Sequence, residues 1–135
     1  MDEQTLILIK PDAINRGLTQ IILSKFENLG FKIIKSKMTK LTEKEARDFY
    51  SVHEKRPFFN DLIMFITSGS IFAAVLEGRN ICSKTRELIG STNPKDAEIG
   101  TIRRDFGISL TENSIHASDS NQSFLREYQV LFSNK

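Results

Sequence analysis

One histidine lies in a segment whose composition suits phosphorus chemistry. His116 falls within residues 113–120, where a predicted strand gives way to a predicted helix and a small residue leaves the imidazole accessible. Near pH 7 an imidazole is largely neutral, and its lone pair can attack phosphorus while a carboxylate or hydroxyl fixes the other nitrogen. A lone histidine is more often a surface or core residue with satisfied hydrogen bonds. The pattern therefore suggests a nucleophile that needs support from elsewhere in the chain.

Three cationic side chains lie where ligands usually bind. Lys10 ends a predicted buried strand, Arg86 lies in a predicted helix, and Arg103 lies in the long loop predicted after that helix. Ammonium and guanidinium groups are the natural partners of a polyphosphate. Solvated surface charge is the commoner role of such residues. Each cation alone leaves both interpretations open.

Sequence motifs for other chemistries are missing or incomplete. The glycines form neither a G-x-x-x-x-G-K nor a G-x-G-x-x-G motif, so any bound phosphate would be held by side chains. His53 and Glu54 would begin a zinc-binding H-E-x-x-H motif, but Pro57 occupies the position of the second histidine. No G-x-S-x-G turn presents Ser118 or Ser120 as a hydrolase nucleophile.

Hydrophobic periodicity predicts strands and helices in alternation. The predicted strands are residues 5–9, 31–41, 71–76 and 113–117, and the predicted helices are residues 18–29, 43–50, 58–66, 80–89 and 120–132. Thr42 and Glu45 match a capping box at the start of the second helix. Residues 91–112 show little periodicity, and so long a loop inside a compact domain is usually functional.

This order fits either a doubly wound parallel sheet or a ferredoxin-like βαββαβ sandwich with a four-stranded antiparallel sheet. Four strands favour the α+β, ferredoxin-like sandwich. The chain has 135 residues and no repeat or linker-like segment, so we expect residues 1–135 to form a single domain.

Composition narrows the class of protein and its partners. The net charge of +2 is too small to indicate a surface that binds polyanions, so any phosphate binding should be local. Cys82 is the single cysteine, which favours a reducing compartment. The acidic N-terminus is unlike a signal peptide, and the apolar run at residues 6–9 is far below the ~18 residues of a membrane span. We therefore expect a cytoplasmic protein without a membrane association.

Several segments together resemble the nucleoside diphosphate kinase family. Ile-Lys-Pro-Asp-Ala at residues 9–13 and Asn-x-x-His-x-Ser-Asp-Ser at residues 113–120 are highly specific in combination. The match keeps the order and spacing of the family over nearly the whole chain. The other matching segments are Arg16-Gly17-Leu18, Arg56-Pro57-Phe58-Phe59, Thr67-Ser68-Gly69, Thr92-Asn93-Pro94 and Gly100-Thr101-Ile102-Arg103.

The resemblance implies a ferredoxin-like enzyme that moves the γ-phosphate of a nucleoside triphosphate, typically ATP, to a nucleoside diphosphate. The transfer is ping-pong and passes through a phosphohistidine. His116 matches the phosphorylated histidine, and Glu127 and Ser118 match residues that orient its ring. Lys10 and Tyr50 match residues beside the transferred phosphoryl group.

The resemblance also implies how the nucleotide is held. Phe58 matches the residue that stacks on the base, and Leu110 stands on the opposite face, so that the site would accept purines and pyrimidines alike. Mg²⁺ would arrive with the nucleotide, with Asp119 as an outer-sphere partner and no dedicated protein metal cage. The remaining positions that match nucleotide contacts are Lys10, Arg86, Thr92, Arg103 and Asn113.

Four residues depart from the family pattern outside the chemical positions: Gln20, Ser70, Arg104 and Phe124. The family forms homo-oligomers, so we expect a tetramer or a hexamer, and these residues put the form of the assembly in question.

Two further functions compete with an active kinase. A nucleic-acid-binding module would share the sheet topology, but no strand carries an R-G-F-G-F-V-like stretch, and no sequence-specific nucleic-acid binding is expected. A catalytically silent regulatory relative would have lost chemical positions, and all of those positions are present.

Overall fold

A computed structural model describes residues 2–108 and 113–132. Its centre is a four-stranded sheet in the order β2-β3-β1-β4, and every neighbouring pair is antiparallel. The strands are β1 (Asp2–Ile9), β2 (Lys32–Thr39), β3 (Ile71–Arg79) and β4 (Ile115–Ala117). The predicted ferredoxin-like sandwich is confirmed.

Seven helices connect and cover these strands within the described residues. They are α1 (Pro11–Asn15), α2 (Thr19–Glu27), α3 (Glu43–Phe49), α4 (Phe59–Ile66), α5 (Ile81–Ile89), α6 (Ile102–Phe106) and α7 (Asn121–Phe132). The capping box predicted for α3 is present: the Thr42 hydroxyl accepts from the Glu45 amide, and the Glu45 carboxylate accepts from the Thr42 amide.

The core lies on both faces of the sheet. Alternate residues of a strand point to opposite faces, and Leu6 and Leu8 accordingly pack with α3, α4 and α7. Ile7 and Ile9 pack on the other face with α2, α5 and α6. Both faces of β1 are buried, which explains its unbroken apolar run.

The prediction of one irregular loop over residues 91–112 was wrong, because the described part of that range, residues 91–108, contains two regular elements. A 3₁₀ turn occupies Pro94–Asp96, and α6 follows. Asn93 caps the turn by accepting from the Lys95 amide, and Thr101 caps α6 by accepting from the Arg104 amide. Arg103 therefore lies on a short helix and not in a loop. The caps stabilise the turn and the helix, and both elements are too short to show a hydrophobic period in the sequence.

Helix α1 and the end of β3 also differ from the predictions. Helix α1 was not predicted; it begins directly after β1, with Pro11 in its first turn, where the missing N–H of proline is not needed. Strand β3 continues past Leu76 to Arg79, with Gly78 opposite Glu3. Glycine is required there because a Cβ on Gly78 would lie 2.5 Å from the Phe31 ring.

Among residues 2–108 and 113–132, no helix is long and apolar enough to cross a membrane.

Candidate active site

Strand alternation places the lysine and the histidine on the same face of the sheet. Lys10 directly follows β1 and continues the face of Leu6 and Leu8. His116 pairs with Leu8 across the β1–β4 register, and directly opposite residues share a face. Both side chains therefore point towards α3 and α7, at the end of the sheet where β1 stops.

His116 is held by a carboxylate on its inner side. Its Nε2 atom lies 3.0 Å from Glu127 Oε1, and Glu127 is a buried residue of α7. The Ser118 hydroxyl donates to the same oxygen over 2.7 Å. Arg126 Nη2 lies 3.5 Å from Glu127 Oε2 and supplies charge to the other oxygen. A buried carboxylate needs such partners, and here they fix its orientation towards the imidazole.

This pairing assigns different tasks to the two imidazole nitrogens. When Nε2 carries the proton and donates it to Glu127, Nδ1 keeps its lone pair. No described residue forms a hydrogen bond to Nδ1. The rings of Phe49 and Tyr50 pack edge-on against His116, with centroid distances of 4.9 and 5.8 Å, and restrict its rotation. The geometry thus leaves one oriented nucleophilic nitrogen.

A cleft of about 330 Å³ opens beside His116. Its floor is formed by the ends of β1 and β4, and its walls come from the segment after α3 and from the chain between α5 and β4. The residues that line it are Lys10, Tyr50, His53, Phe58, Leu62, Arg86, Thr92, Arg103, Asn113, His116, Ala117 and Asp119.

Lys10 is a buried amine at the inner end of this cleft. Its Nζ donates to Asn113 Oδ1 over 2.9 Å, and Asn113 Nδ2 donates to the Thr92 carbonyl over 2.9 Å. The pKa of Lys10 is lowered to about 7, first by burial and then by the nearby Arg103, while Asp12 partly opposes both effects. An incoming anion would reverse this balance by favouring the charged ammonium.

Two arginines extend the positive charge along the cleft. Arg103 is buried and donates to the carbonyl oxygens of Gly90, over 3.3 Å, and Ile115, over 2.9 Å. Burial and the neighbouring Arg86 lower the pKa of Arg103 to about 10, with Tyr50 acting in the opposite direction. Arg86 is exposed on α5. Together with Lys10, the two guanidinium groups make the cleft attractive to a chain of phosphates.

Two aromatic side chains define the outer and inner parts of the cleft. The Phe58 side chain is exposed at the mouth, where a flat apolar ligand could stack on it. Tyr50 is buried, and its hydroxyl has no hydrogen-bond partner among the described residues. Burial and the Glu127 charge raise the pKa of Tyr50, so the phenol stays protonated and can donate.

The predicted site residues fall into three groups in the structure. Ser118 and Glu127 lie behind His116 and do not line the cleft. Leu110 lies outside the described residues. The others share the cleft: Lys10, Tyr50, Phe58, Arg86, Thr92, Arg103, Asn113, His116 and Asp119.

The sequence analysis missed three lining residues: His53, Leu62 and Ala117. The imidazole of His53 lies between the rings of Tyr50 and Phe58, with centroid distances of 6.4 and 5.7 Å. Burial, with Arg56 nearby, lowers the pKa of His53, and its buried Nδ1 has no hydrogen-bond partner among the described residues. The signal available in the sequence is that His53 lies between Tyr50 and Phe58, two residues predicted to belong to the site.

The side chains fit a magnesium ion that enters with a nucleotide. Across the described part of the chain, no group of three or more His, Cys, Asp or Glu side chains could hold a metal ion. Asp119 is an exposed carboxylate on the cleft, and a hydrogen bond with Ser123 is the largest effect that lowers its pKa. Mg²⁺ commonly keeps several waters and binds through one carboxylate plus substrate phosphates. Of that donor set, the cleft itself supplies the carboxylate of Asp119.

Comparisons with known proteins identify the family of this chain. The family model for nucleoside diphosphate kinase matches residues 3–135. A nucleoside diphosphate kinase from Campylobacter lari is 49% identical over 131 residues, which cover 97% of this chain and 96% of the relative. One from Methanosphaera stadtmanae is 48% identical over 132 residues, with 98% and 87% covered.

Solved structures with a similar fold belong to the same family. The Aquifex aeolicus nucleoside diphosphate kinase superposes with a TM-score of 0.95 at 42% identity, over 99% of this chain and 97% of the other. A halophilic nucleoside diphosphate kinase from Halobacterium salinarum, solved in complex with CDP, has a TM-score of 0.95 at 40% identity, over 99% and 90%. This chain belongs to the nucleoside diphosphate kinase family.

Proposed function

We propose that His116 Nδ1 is the atom that carries the phosphoryl group in the kinase reaction. The family reaction moves the γ-phosphate of a nucleoside triphosphate to a nucleoside diphosphate. The observation that carries this proposal is the 3.0 Å contact between His116 Nε2 and Glu127 Oε1, beside a cleft lined by cations. It leaves Nδ1 as the nitrogen available for attack.

The reaction then proceeds in two phosphoryl-transfer steps. In the first, the Nδ1 lone pair attacks the γ-phosphorus, and the bond from that phosphorus to the bridging oxygen breaks, so that the nucleoside diphosphate leaves with the electron pair. In the second, a terminal phosphate oxygen of the acceptor diphosphate attacks the same phosphorus. The N–P bond breaks, and its electrons return to Nδ1.

Glu127 and Ser118 serve both steps without contacting the nucleotide. The imidazole becomes positively charged when Nδ1 is phosphorylated, and the Glu127 carboxylate stabilises that charge through Nε2–H. Ser118 donates to Glu127 and holds the carboxylate in place. In the second step the same arrangement keeps the phosphorus aligned for attack.

The cations and the phenol would bind the phosphates. Lys10 and Tyr50, which line the cleft with His116, would bind the transferred group, while Arg86, Thr92 and Arg103 would hold the other phosphates. Asn113, which is bonded to Lys10, would meet the sugar with it. In phosphoryl transfer most of the catalysis comes from positioning and from neutralising charge on the transferred group.

The base and the metal need few dedicated groups. Phe58 would stack on the base and read only its flat face, so all nucleobases would be accepted. Leu110 is proposed for the opposite face. Mg²⁺, held by nucleotide phosphates and by Asp119 through water, would neutralise part of the phosphate charge.

We also propose that the chain is one catalytic domain that works as a cytoplasmic homo-oligomer, either a tetramer or a hexamer. Exposed apolar side chains on β2, Ile34 and Met38, support self-association. The outer edge of β2 pairs with no other strand among the described residues. Light scattering of the purified protein measures the mass and decides between the two assemblies.

Labelling with γ-labelled ATP tests the proposal about His116. We expect about one acid-labile, base-stable phosphoryl group per chain, which is discharged on addition of unlabelled ADP. His116→Ala should take up no label. His53→Gln, which alters the other histidine of the chain, should still be labelled. Label that persists in His116→Ala would show that another residue carries the phosphoryl group.

A further inference from the structure

A short segment of the cleft wall is bounded by two glycines. Segment 91–99 lies between Gly90, with φ of 91°, and Gly100, with φ of 95°, which are backbone conformations that favour glycine. The segment contains Thr92, which lines the cleft. The contacts that hold this segment therefore help to set the position of Thr92 in the cleft.

Arg104 supplies one of those contacts from α6. Its Nη1 donates to the Lys95 carbonyl over 3.1 Å and to the Ala97 carbonyl over 3.4 Å. These carbonyls lie at the end of the 3₁₀ turn Pro94–Asp96, where helical carbonyls lack partners within the turn. Arg104 therefore satisfies them and ties segment 91–99 to α6.

Helix α6 is itself fixed to the body of the protein. Arg103 donates from α6 to the Ile115 carbonyl of β4, and Arg16 donates to the Phe106 carbonyl at the end of α6. The Gly107 amide closes the helix by donating to the Arg103 carbonyl. The hydrogen bonds of Arg104 thus connect the segment to a helix that is itself bonded to β4 and to Arg16.

Three other side chains from outside the segment hold residues 90–99. The Thr101 hydroxyl donates to the Glu98 carbonyl over 2.7 Å and fixes the end of the segment next to Gly100. The other two donors, Asn113 and Arg103, have a proposed role in binding. Asn113 donates to the Thr92 carbonyl, and Arg103 donates to the Gly90 carbonyl. Asn113 and Arg103 line the cleft, where a bound nucleotide would offer their side chains other acceptors. Arg104 does not line the cleft, so its contacts persist while the nucleotide binds and leaves.

We propose that Arg104 is a positioning residue for nucleotide binding. It holds segment 91–99 against α6, so that the Thr92 hydroxyl and the Arg103 guanidinium keep a fixed spacing and meet the phosphates together. This inference rests on the proposed function of the cleft. It assigns Arg104 an effect on the affinity for nucleotide and none on the chemistry at His116.

The test measures the rate of phosphohistidine formation against ATP concentration in single-turnover experiments. In Arg104→Ala the apparent Kd for ATP should rise about tenfold, which is the loss expected for a hydrogen-bonded charged donor. The maximal rate constant should stay within about twofold of that of the unaltered protein. Arg104→Lys should recover most of the affinity, because an ammonium can still donate to these carbonyls. Arg79→Ala, an exposed arginine remote from the cleft on β3, is the matched control.

Three results would overturn the proposal: an apparent Kd in Arg104→Ala equal to that of Arg79→Ala, a fall in the maximal rate at unchanged Kd, or a rise in Kd that accompanies a change in oligomeric mass. If Arg104→Ala does not fold, Arg104→Gln carries the same test, with a smaller rise in Kd expected. Failure of the unaltered protein to form phosphohistidine would instead refute the proposed function, so the two failures are distinguishable.

Discussion

The buried Lys10 should make nucleotide binding take up a proton. In the free protein the pKa of Lys10 is lowered to about 7, chiefly by burial, so above pH 7 most chains hold a neutral amine. A phosphate group placed against this amine favours the charged ammonium. We therefore expect binding of ADP to protonate Lys10.

The size of the effect follows from the shift in pKa. If the bound phosphates return the pKa to near its ordinary value of about 10.4, the change is roughly 3 units, or about 4 kcal/mol of coupling. At pH 8.5 nearly every free chain then gains a proton on binding, so uptake should approach one per ADP. The apparent Kd should rise roughly tenfold or more between pH 7 and pH 8.5. In this window ADP is fully ionised, because phosphate groups have a second pKa near 6.

Isothermal titration calorimetry in buffers of different ionisation enthalpy measures the proton uptake directly. Lys10→Met should bind ADP weakly and without uptake. Lys84→Met, which removes an exposed lysine of α5, should keep the uptake of the unaltered protein. Uptake near zero at pH 8.5, or equal uptake in Lys10→Met, would refute the argument that burial keeps this amine neutral.

Three further predictions concern catalysis, base recognition and stability. Glu127→Gln should slow both half-reactions about 10- to 100-fold in stopped-flow measurements, since the ring loses its anionic partner, and an unchanged rate would remove Glu127 from the mechanism. Phe58→Ala should weaken binding of ADP, GDP and CDP alike by about 1–3 kcal/mol, and a loss confined to one base would contradict simple stacking. Phe26→Ala should lower the free energy of unfolding by about 3–5 kcal/mol in denaturant titrations, because Phe26 is a residue of α2 that is 1% exposed in the core. A loss below about 1 kcal/mol would mean that the core collapses around the gap.

The fold could be predicted from patterns that are local in the sequence. The apolar run in β1 predicts a strand buried on both faces, and its residues do pack into two clusters on opposite faces. The capping box at Thr42 marks the start of α3 for a similarly local reason. Helix α6 escaped prediction because its five residues are too few to show a period of 3.6.

The site depended on contacts between residues distant in the sequence. Lys10 and Asn113 are hydrogen-bonded although 103 positions separate them, and nothing in either local segment indicates the pairing. Arg103 looks like an ordinary surface cation in the sequence, yet it is buried and bonded to two backbone carbonyls. The family resemblance predicts that these residues belong to one site. Composition and periodicity alone do not predict it.

His53 shows the opposite case. His53 is not among the residues that the family resemblance assigns to the site, and its incomplete zinc motif predicts no other role. Only the folded chain shows that the segment after α3 turns its imidazole into the cleft between Tyr50 and Phe58.

The position of the phosphoryl group on the imidazole tests the central claim most directly. The enzyme phosphorylated with ATP can be examined by NMR of the intact protein, which distinguishes a phosphoryl group on Nδ1 from one on Nε2. Because His116 Nε2 is hydrogen-bonded to Glu127 Oε1, we predict that the phosphoryl group is bonded to Nδ1 of His116. A phosphoryl group on Nε2, or on any residue other than His116, would contradict the account.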